Sequence, residues 1–243
     1  KENPDTSIVV TATEQGEYMK VVQKAISLIH PDYEKRMKHL THGMMKFASG
    51  KMSSRKGNVI TGESLINDST NTILEKVKDR ELSKEEKENI AKSVGVSAVK
   101  YSILKSSLSS DIVYDFEKSI SFEGDSGPYL QYTAVRANSI LKKGESEGIS
   151  IGFKNIPIET TQLEHMLYQF PEIVIRSYKT MEPHHVATYL TELASSFNTF
   201  YGNTQIVNKD DLDTPYRLAL VKAFYQTMKN GLYLLGIKTP DRM

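Results

Sequence analysis

The 243-residue chain predicts a mainly α fold, a short α/β opening followed by an antiparallel helical bundle. Three observations carry that expectation. β-Branched residues crowd positions 7–11 (SIVVT) just ahead of a helical run, as at the start of a βα unit. From about Ser64 onward the apolar residues keep helical spacing. Gly, Pro and hydroxyl residues punctuate the second half at helix-length intervals.

Taken in order, 7–11 reads as a short buried strand. Thr11-Ala12-Thr13-Glu14 has capping-box spacing, and Tyr18, Val21, Val22, Ala25, Ile26 and Ile29 follow at helical intervals. Pro31 stops that helix, because its ring leaves no amide hydrogen and crowds the preceding turn. Residues 40–48 read as a second strand, Ser49-Gly50 as a turn, 58–60 as a brief return strand, and Thr61 as a helix cap. Ser83 and Glu86 form another capping-box pair ahead of Ile90, Val94, Ala98, Tyr101 and Leu104. The break Glu123-Gly124-Asp125-Ser126-Gly127-Pro128 then starts a helix with Pro in its first turn. Further helices are expected at about 160–169, 171–181, 184–201 and 214–235, the last opened by Thr214-Pro215 and closed by Gly236. Stretches 142–151 and 202–213 read as exposed, polar connections. The expected division is 1–75 as the end of an α/β domain, 76–122 as a helical connector, and 123–243 as the bundle.

Composition narrows the function classes. With 39% apolar and 25% charged residues the chain is an ordinary globular one. No apolar run approaches the ~18 residues that cross a bilayer, and KENPDTS is not a signal peptide, so no membrane partner is expected. Zero cysteines exclude disulfides, thiolate metal sites and cysteine nucleophiles, in agreement with a cytoplasmic setting. A first residue other than Met, followed at once by a strand-like stretch, suggests a piece of something longer.

Charge is uneven. Residues 35–62 hold seven cations (Lys35, Arg36, Lys38, Lys46, Lys51, Arg55, Lys56) and no acid, which leaves 24 basic against 30 acidic residues elsewhere, a net of −6. Such concentration points to an anionic ligand. At its centre Lys51-Met52-Ser53-Ser54-Arg55-Lys56-Gly57 puts three cations, two hydroxyls and a glycine into seven residues. A charged cluster alone reads as a solvated turn. This one follows a strand-like stretch and a Ser-Gly turn and precedes a helix start, so amide hydrogens and a helix N-terminus add to its field.

KMSSRKGN resembles the second signature loop of class I aminoacyl-tRNA synthetases, usually written KMSKS. The wider SGKMSSRKGNVITGESLI is similar in particular to the arginyl-tRNA synthetase family. GDSGPYLQYTAVRANSILKK, YLTELASSFNTFY and LALVKAFYQTMKNGLYLLGIKTPDRM resemble the helical anticodon-binding domain of that family, and these blocks together span almost the whole chain. The loop alone would also fit cysteinyl or class I lysyl enzymes. The resemblance implies the end of a Rossmann-like catalytic domain followed by an anticodon-binding bundle. It also implies a reaction: arginine and ATP with Mg2+ give arginyl-adenylate, and the arginine then passes to tRNA(Arg).

By motif position Lys51 is the first signature lysine. The second falls at Ser54, leaving Arg55 and Lys56 as substitutes, and Met52 and Ser53 complete the ATP loop. Preorganised cations at a growing phosphate charge are the main catalytic device in such chemistry. Gln15 resembles the position beside the amino-acid pocket, although a helix-surface glutamine explains it as simply. Gly43 and Met44 match the strand passing the adenine, and a buried apolar strand accounts for them equally. The companion His-x-Gly-His signature is missing, and His39-Leu40-Thr41-His42-Gly43 has the wrong spacing. The chain alone is therefore expected to be inactive. His39 and His42 lack a third ligand and His184-His185 are adjacent, so no metal site is expected.

Residues 120–243 carry 12 cations and 13 acids, which is no footprint of a general nucleic-acid binder. Their aromatic residues are more telling. Most belong in the core, but an exposed minority stacks on splayed bases in single-stranded RNA recognition. Tyr201 and the terminal Arg242-Met243 are the candidates by family position, followed by Tyr132 and Arg136, which share a helix face. A monomer is expected. A tRNA-binding module without catalysis is the chief alternative; a serine acyl enzyme built on Ser53-Ser54-Arg55-Lys56 lacks the further motifs that chemistry needs.

Overall fold

A computed structural model describes residues 4–48, 61–153 and 156–243. Strand β1 (Ser7–Ala12) leads through a short 3-10 turn into helix α1 (Gly16–Ile29), and β2 (Met37–His42) returns parallel to β1 with Ala12 opposite His42. The capping box expected at Thr11–Glu14 does not form. The Thr11 hydroxyl instead donates to the Ala12 carbonyl and bonds the His39 ring at 2.8 Å, so the helix starts at Gly16. Pro31 ends α1 as expected, with His30 closing on the Ile26 carbonyl.

The single strand expected over 40–48 is two. β2 stops at Gly43, where a Cβ would lie 2.0 Å from the Ser110 carbonyl oxygen, so the backbone passes too close for any side chain. A second parallel pair then forms between β3 (Met45–Phe47) and β4 (Ile112–Tyr114), a strand unmarked by any alternation in the sequence. The β1 strand is also more open than expected, Val10 being 60% exposed, while α1 packs on the neighbouring β2. Parallel strands ordinarily need both faces covered.

Helices α2 (Gly62–Lys76) and α3 (Lys84–Leu104) open on the expected caps, Thr61 with Ser64 and Ser83 with Glu86, each pair bonding reciprocally. They pack through Ile73, Ile90, Val94 and Ala98, and so closely that a Cβ on Gly95 would come within 2.8 Å of the Thr70 nitrogen. A short α4 (Phe116–Ser119), capped by Asp115, leads on to α5 (Gly127–Ser146), capped by Ser126. The connection expected over 142–151 is partly helix, because Gly144 lets Leu218 pack against it.

The bundle is completed by α6 (Gln162–Thr180), α7 (His184–Asn203) and α8 (Thr214–Leu234), the last ended by Gly236 at φ +66°. Helix α6 is one element where two were expected. Pro171 lies inside it, and Leu163, Met166, Leu167, Phe170 and Ile173 form one apolar stripe continuous through the proline. The core joins Leu130, Leu190, Leu193, Phe197, Leu218, Phe224 and Leu232, with Phe197 and Phe224 stacked at 3.9 Å between ring centres. Of the polar loop expected over 202–213, the first two residues belong to α7, and the rest anchors itself in this core through Ile206 and Val207.

A polar knot ties α3 and α7 to the loop ahead of α5. The Tyr101 hydroxyl donates to Asp125 and lies 2.5 Å from the Thr191 hydroxyl, while Lys105 bridges to Asp125 at 2.9 Å. Burial, and then the bond to Asp125, push the Tyr101 phenol far up. Burial also acts to raise the Asp125 carboxyl, but the bonds from Lys105 and Tyr101 outweigh it and hold it below its ordinary range.

Candidate functional site

Helix α5 places Tyr129, Tyr132 and Arg136 on one face, three and four residues apart. Helix α7 brings Asn198 and Tyr201 opposite them. The Arg136 guanidinium carbon lies 4.9 Å from the Tyr132 ring centre and 5.2 Å from that of Tyr201, and its nitrogen donates to the Asn198 side-chain oxygen at 2.6 Å. The Asn198 amide donates in turn to the Tyr129 hydroxyl at 2.8 Å. Tyr201 remains 44% exposed. Phe122 meets Tyr132 edge-on, and the Lys76 ammonium lies 5.8 Å from the Phe122 ring centre while donating to the Ile120 carbonyl.

Tyr129, Tyr132, Arg136, Asn198 and Phe122 line a cleft of about 510 Å³ together with Lys76 and Arg80 from the end of α2 and just beyond it, the single acid Glu123, and Met243, while Tyr201 stands beside it on the Arg136 guanidinium. The tail that carries Met243 is strung along α5: Gln131 donates to the Lys238 carbonyl at 2.6 Å and Asn138 to that of Asp241 at 3.3 Å. Met243 packs on the α2–α3 core, and Arg242 pairs with Glu86. Of the five residues expected at an RNA interface, Tyr132 and Tyr201 thus flank the guanidinium of a third, Arg136. Met243 lines the same cleft, and Arg242 is committed to an ion pair beside it. Lys76, Arg80, Phe122 and Asn198 were not singled out from sequence, since nothing in their spacing relates α2 to α7. Aromatic faces and three cations in one cleft suit a nucleobase and its phosphate.

At the other end, Gln15 lies exposed just past β1, and Gly43 and Met44 just past β2. All three therefore sit at the carboxyl end of a parallel pair, where ligands of α/β sheets bind. The Met44 amide donates to Asp111 at 2.9 Å and Lys46 pairs with the other oxygen; Lys46 first, then that amide, hold the Asp111 carboxyl low. Lys51, Met52, Ser53, Ser54, Arg55, Lys56 and Gly57, and the return strand expected at 58–60, lie outside the described residues.

The histidines sort themselves. His39 bonds Thr11 and His42 bonds the Gly43 carbonyl. Glu182, His184 and His185, at the α6–α7 turn, are the one group of three potential metal ligands among the described residues, with ligand atoms within 4.8 Å of one another. Burial first, then His185 and Arg176, push the His184 imidazole down against the opposing pull of Glu182, and the N-terminus of α7 likewise disfavours a cation there.

Two family models match the chain: "tRNA synthetases class I (R), catalytic domain" over residues 1–116 and "DALR anticodon binding domain" over residues 130–243. The arginine–tRNA ligase of Clostridium perfringens is 36% identical over 245 residues, 99% of this chain and 43% of that protein. That of Borrelia hermsii is 34% identical over 244 residues, 98% of this chain and 42% of that protein. The Thermus thermophilus arginyl-tRNA synthetase structure superposes with a TM-score of 0.82 at 27% identity, covering 98% of this chain and 41% of that one. The Plasmodium falciparum arginyl-tRNA synthetase, at 23% identity and a TM-score of 0.77 over 98% of this chain and 41% of that one, shares the fold. The chain thus spans about two fifths of the length of its relatives. Among the described residues, no helix is long and apolar enough to cross a membrane.

Proposed function

We propose, since this chain belongs to the arginyl-tRNA synthetase family, that it is the part of an arginine–tRNA ligase that closes on ATP and reads the anticodon. In this reading the whole enzyme activates arginine with ATP and Mg2+ and transfers it to tRNA(Arg), in the cytoplasm and as a monomer. Lys51, with Arg55 or Lys56 in place of the second signature lysine, offsets charge on the departing pyrophosphate. Met52, Ser53 and Ser54 shape that loop. Gly43 and Met44 pass the adenine, and Gln15 borders the amino-acid pocket. The division 1–75, 76–122 and 123–243 assigns catalysis to the first part and RNA reading to the last. In this reading the chain supplies one part of the catalytic centre and acts together with the rest of the enzyme.

The observation that carries the reading is the gathering of Tyr132, Arg136, Tyr201 and Met243 about one cleft, with Lys76 and Arg80 facing them. A splayed base stacks on the exposed tyrosine while the cations take its phosphate. Binding of the chain to tRNA transcripts that differ only in the anticodon tests it. Tyr201→Ala should weaken the arginine-anticodon transcript by about 1–3 kcal/mol and leave weak binding to the others in place; equal affinity for every anticodon in the unmutated chain would refute it. For the ATP loop, Lys51→Ala in the full-length protein should slow ATP–pyrophosphate exchange by roughly a hundredfold or more, and an unaltered exchange rate removes Lys51 from the chemistry.

A further inference from the structure

Resting on the RNA reading above, we infer that Asn198 is a positioning residue of the cleft: it fixes the Arg136 guanidinium between Tyr132 and Tyr201, so that RNA meets a rigid stacked wall. The guanidinium carbon lies 4.9 Å from the Tyr132 ring centre and 5.2 Å from that of Tyr201, and its N–H groups point outward in its own plane. One of those N–H groups donates to the Asn198 oxygen at 2.6 Å. Two rings alone leave the guanidinium free to turn in its own plane, and the bond to Asn198 removes that freedom. The amide is itself oriented, because its nitrogen donates to the Tyr129 hydroxyl at 2.8 Å, which aims the oxygen at Arg136. The chain Tyr129–Asn198–Arg136 therefore crosses from α5 to α7 and back, and couples the two helices that carry the tyrosines.

The chemistry of the acceptor matters as much as its place. A neutral amide holds the guanidinium without cancelling its charge, whereas a carboxylate would spend that charge on an ion pair. Among the described residues Arg136 pairs with no carboxylate, so its charge stays available to RNA phosphate. Ordering a long cationic side chain before the ligand arrives also moves its entropy cost out of the binding step.

A double-mutant cycle on the full chain tests this, with tRNA transcripts carrying the arginine anticodon or single-base anticodon changes as probes. Asn198→Ala should weaken the arginine-anticodon transcript by roughly tenfold, the worth of a hydrogen bond to a charged group, and narrow its advantage over the altered transcripts. In an Arg136→Ala background the same substitution should then cost nothing further. Additive losses, or an undiminished preference among anticodons in Asn198→Ala, would overturn the positioning role and leave the RNA reading standing. An Arg136→Ala protein that binds every transcript as before would instead remove the RNA reading itself. Tyr129→Phe, which deletes one hydroxyl, should produce a smaller loss of the same kind that also vanishes without Arg136; it carries the test if Asn198→Ala does not fold.

Discussion

Single residues decide where this chain turns, bonds and titrates. Asp125 is the clearest case, since its carboxyl is held below the ordinary 3.8 by Lys105 and Tyr101 against the opposing pull of burial. The unfolded chain takes up that proton at a higher pH than the native state does. The stabilisation is therefore complete above the unfolded value and disappears as pH falls through the lower native one. Asp125→Asn should reduce stability near neutrality and flatten its decline below about pH 4, as read by urea melts at fixed pH; an acid limb as steep as in the parent would exclude the knot as its source. Asp125 stood in the sequence only as a member of a loop, because its partners come from 20 and 24 residues upstream. Tyr132 and Arg136 were legible because four residues on a helix is one turn. Asn198 was not, since its meaning lies entirely across the α5–α7 interface.

At the scale of elements, the caps at Thr61 and Ser83 and the stops at Pro31 and Gly236 read true, whereas the capping box at Thr11–Glu14 and the break at Pro171 did not. Thr61 with Ser64 and Ser83 with Glu86 are local devices, closed within one helical turn, and their sequence spacing is their geometry. Pro171 was read as a boundary on local grounds, yet the stripe from Leu163 to Ile173 buries against α7 and holds the helix together across the lost hydrogen bond. Pro171→Ala restores an amide donor inside α6 and should raise stability by about 1 kcal/mol, less than the full cost of an interior proline because the surroundings have adapted to it. A lower melting temperature in that variant would mean that α6 needs its distortion. Likewise β4 is three residues long and exists because β3 lies beside it, a pairing between positions 67 apart that no local pattern announces. Ile206 and Val207 hid in a polar stretch for the same reason.

For the molecule as a whole, the mainly helical class and its α/β opening followed from periodicity alone, whereas the surroundings of the opening did not. Leu28 and Ile29 are about three quarters exposed on α1, and Val10 stands open on β1, an apolar face of the kind that parallel sheets cover. The even balance of charge over 120–243 also sets how RNA binding responds to salt. Three cations in the cleft correspond to a slope of log K against log salt of about −2 for single-stranded contacts. Titrations from low to high salt should return that shallow value, and a slope near −6 would point to a broad electrostatic surface in place of a cleft. The tethering of the tail along α5 has a practical corollary. A fluorophore coupled to the last residue would stand at the mouth of the crevice and report the arrival of a ligand.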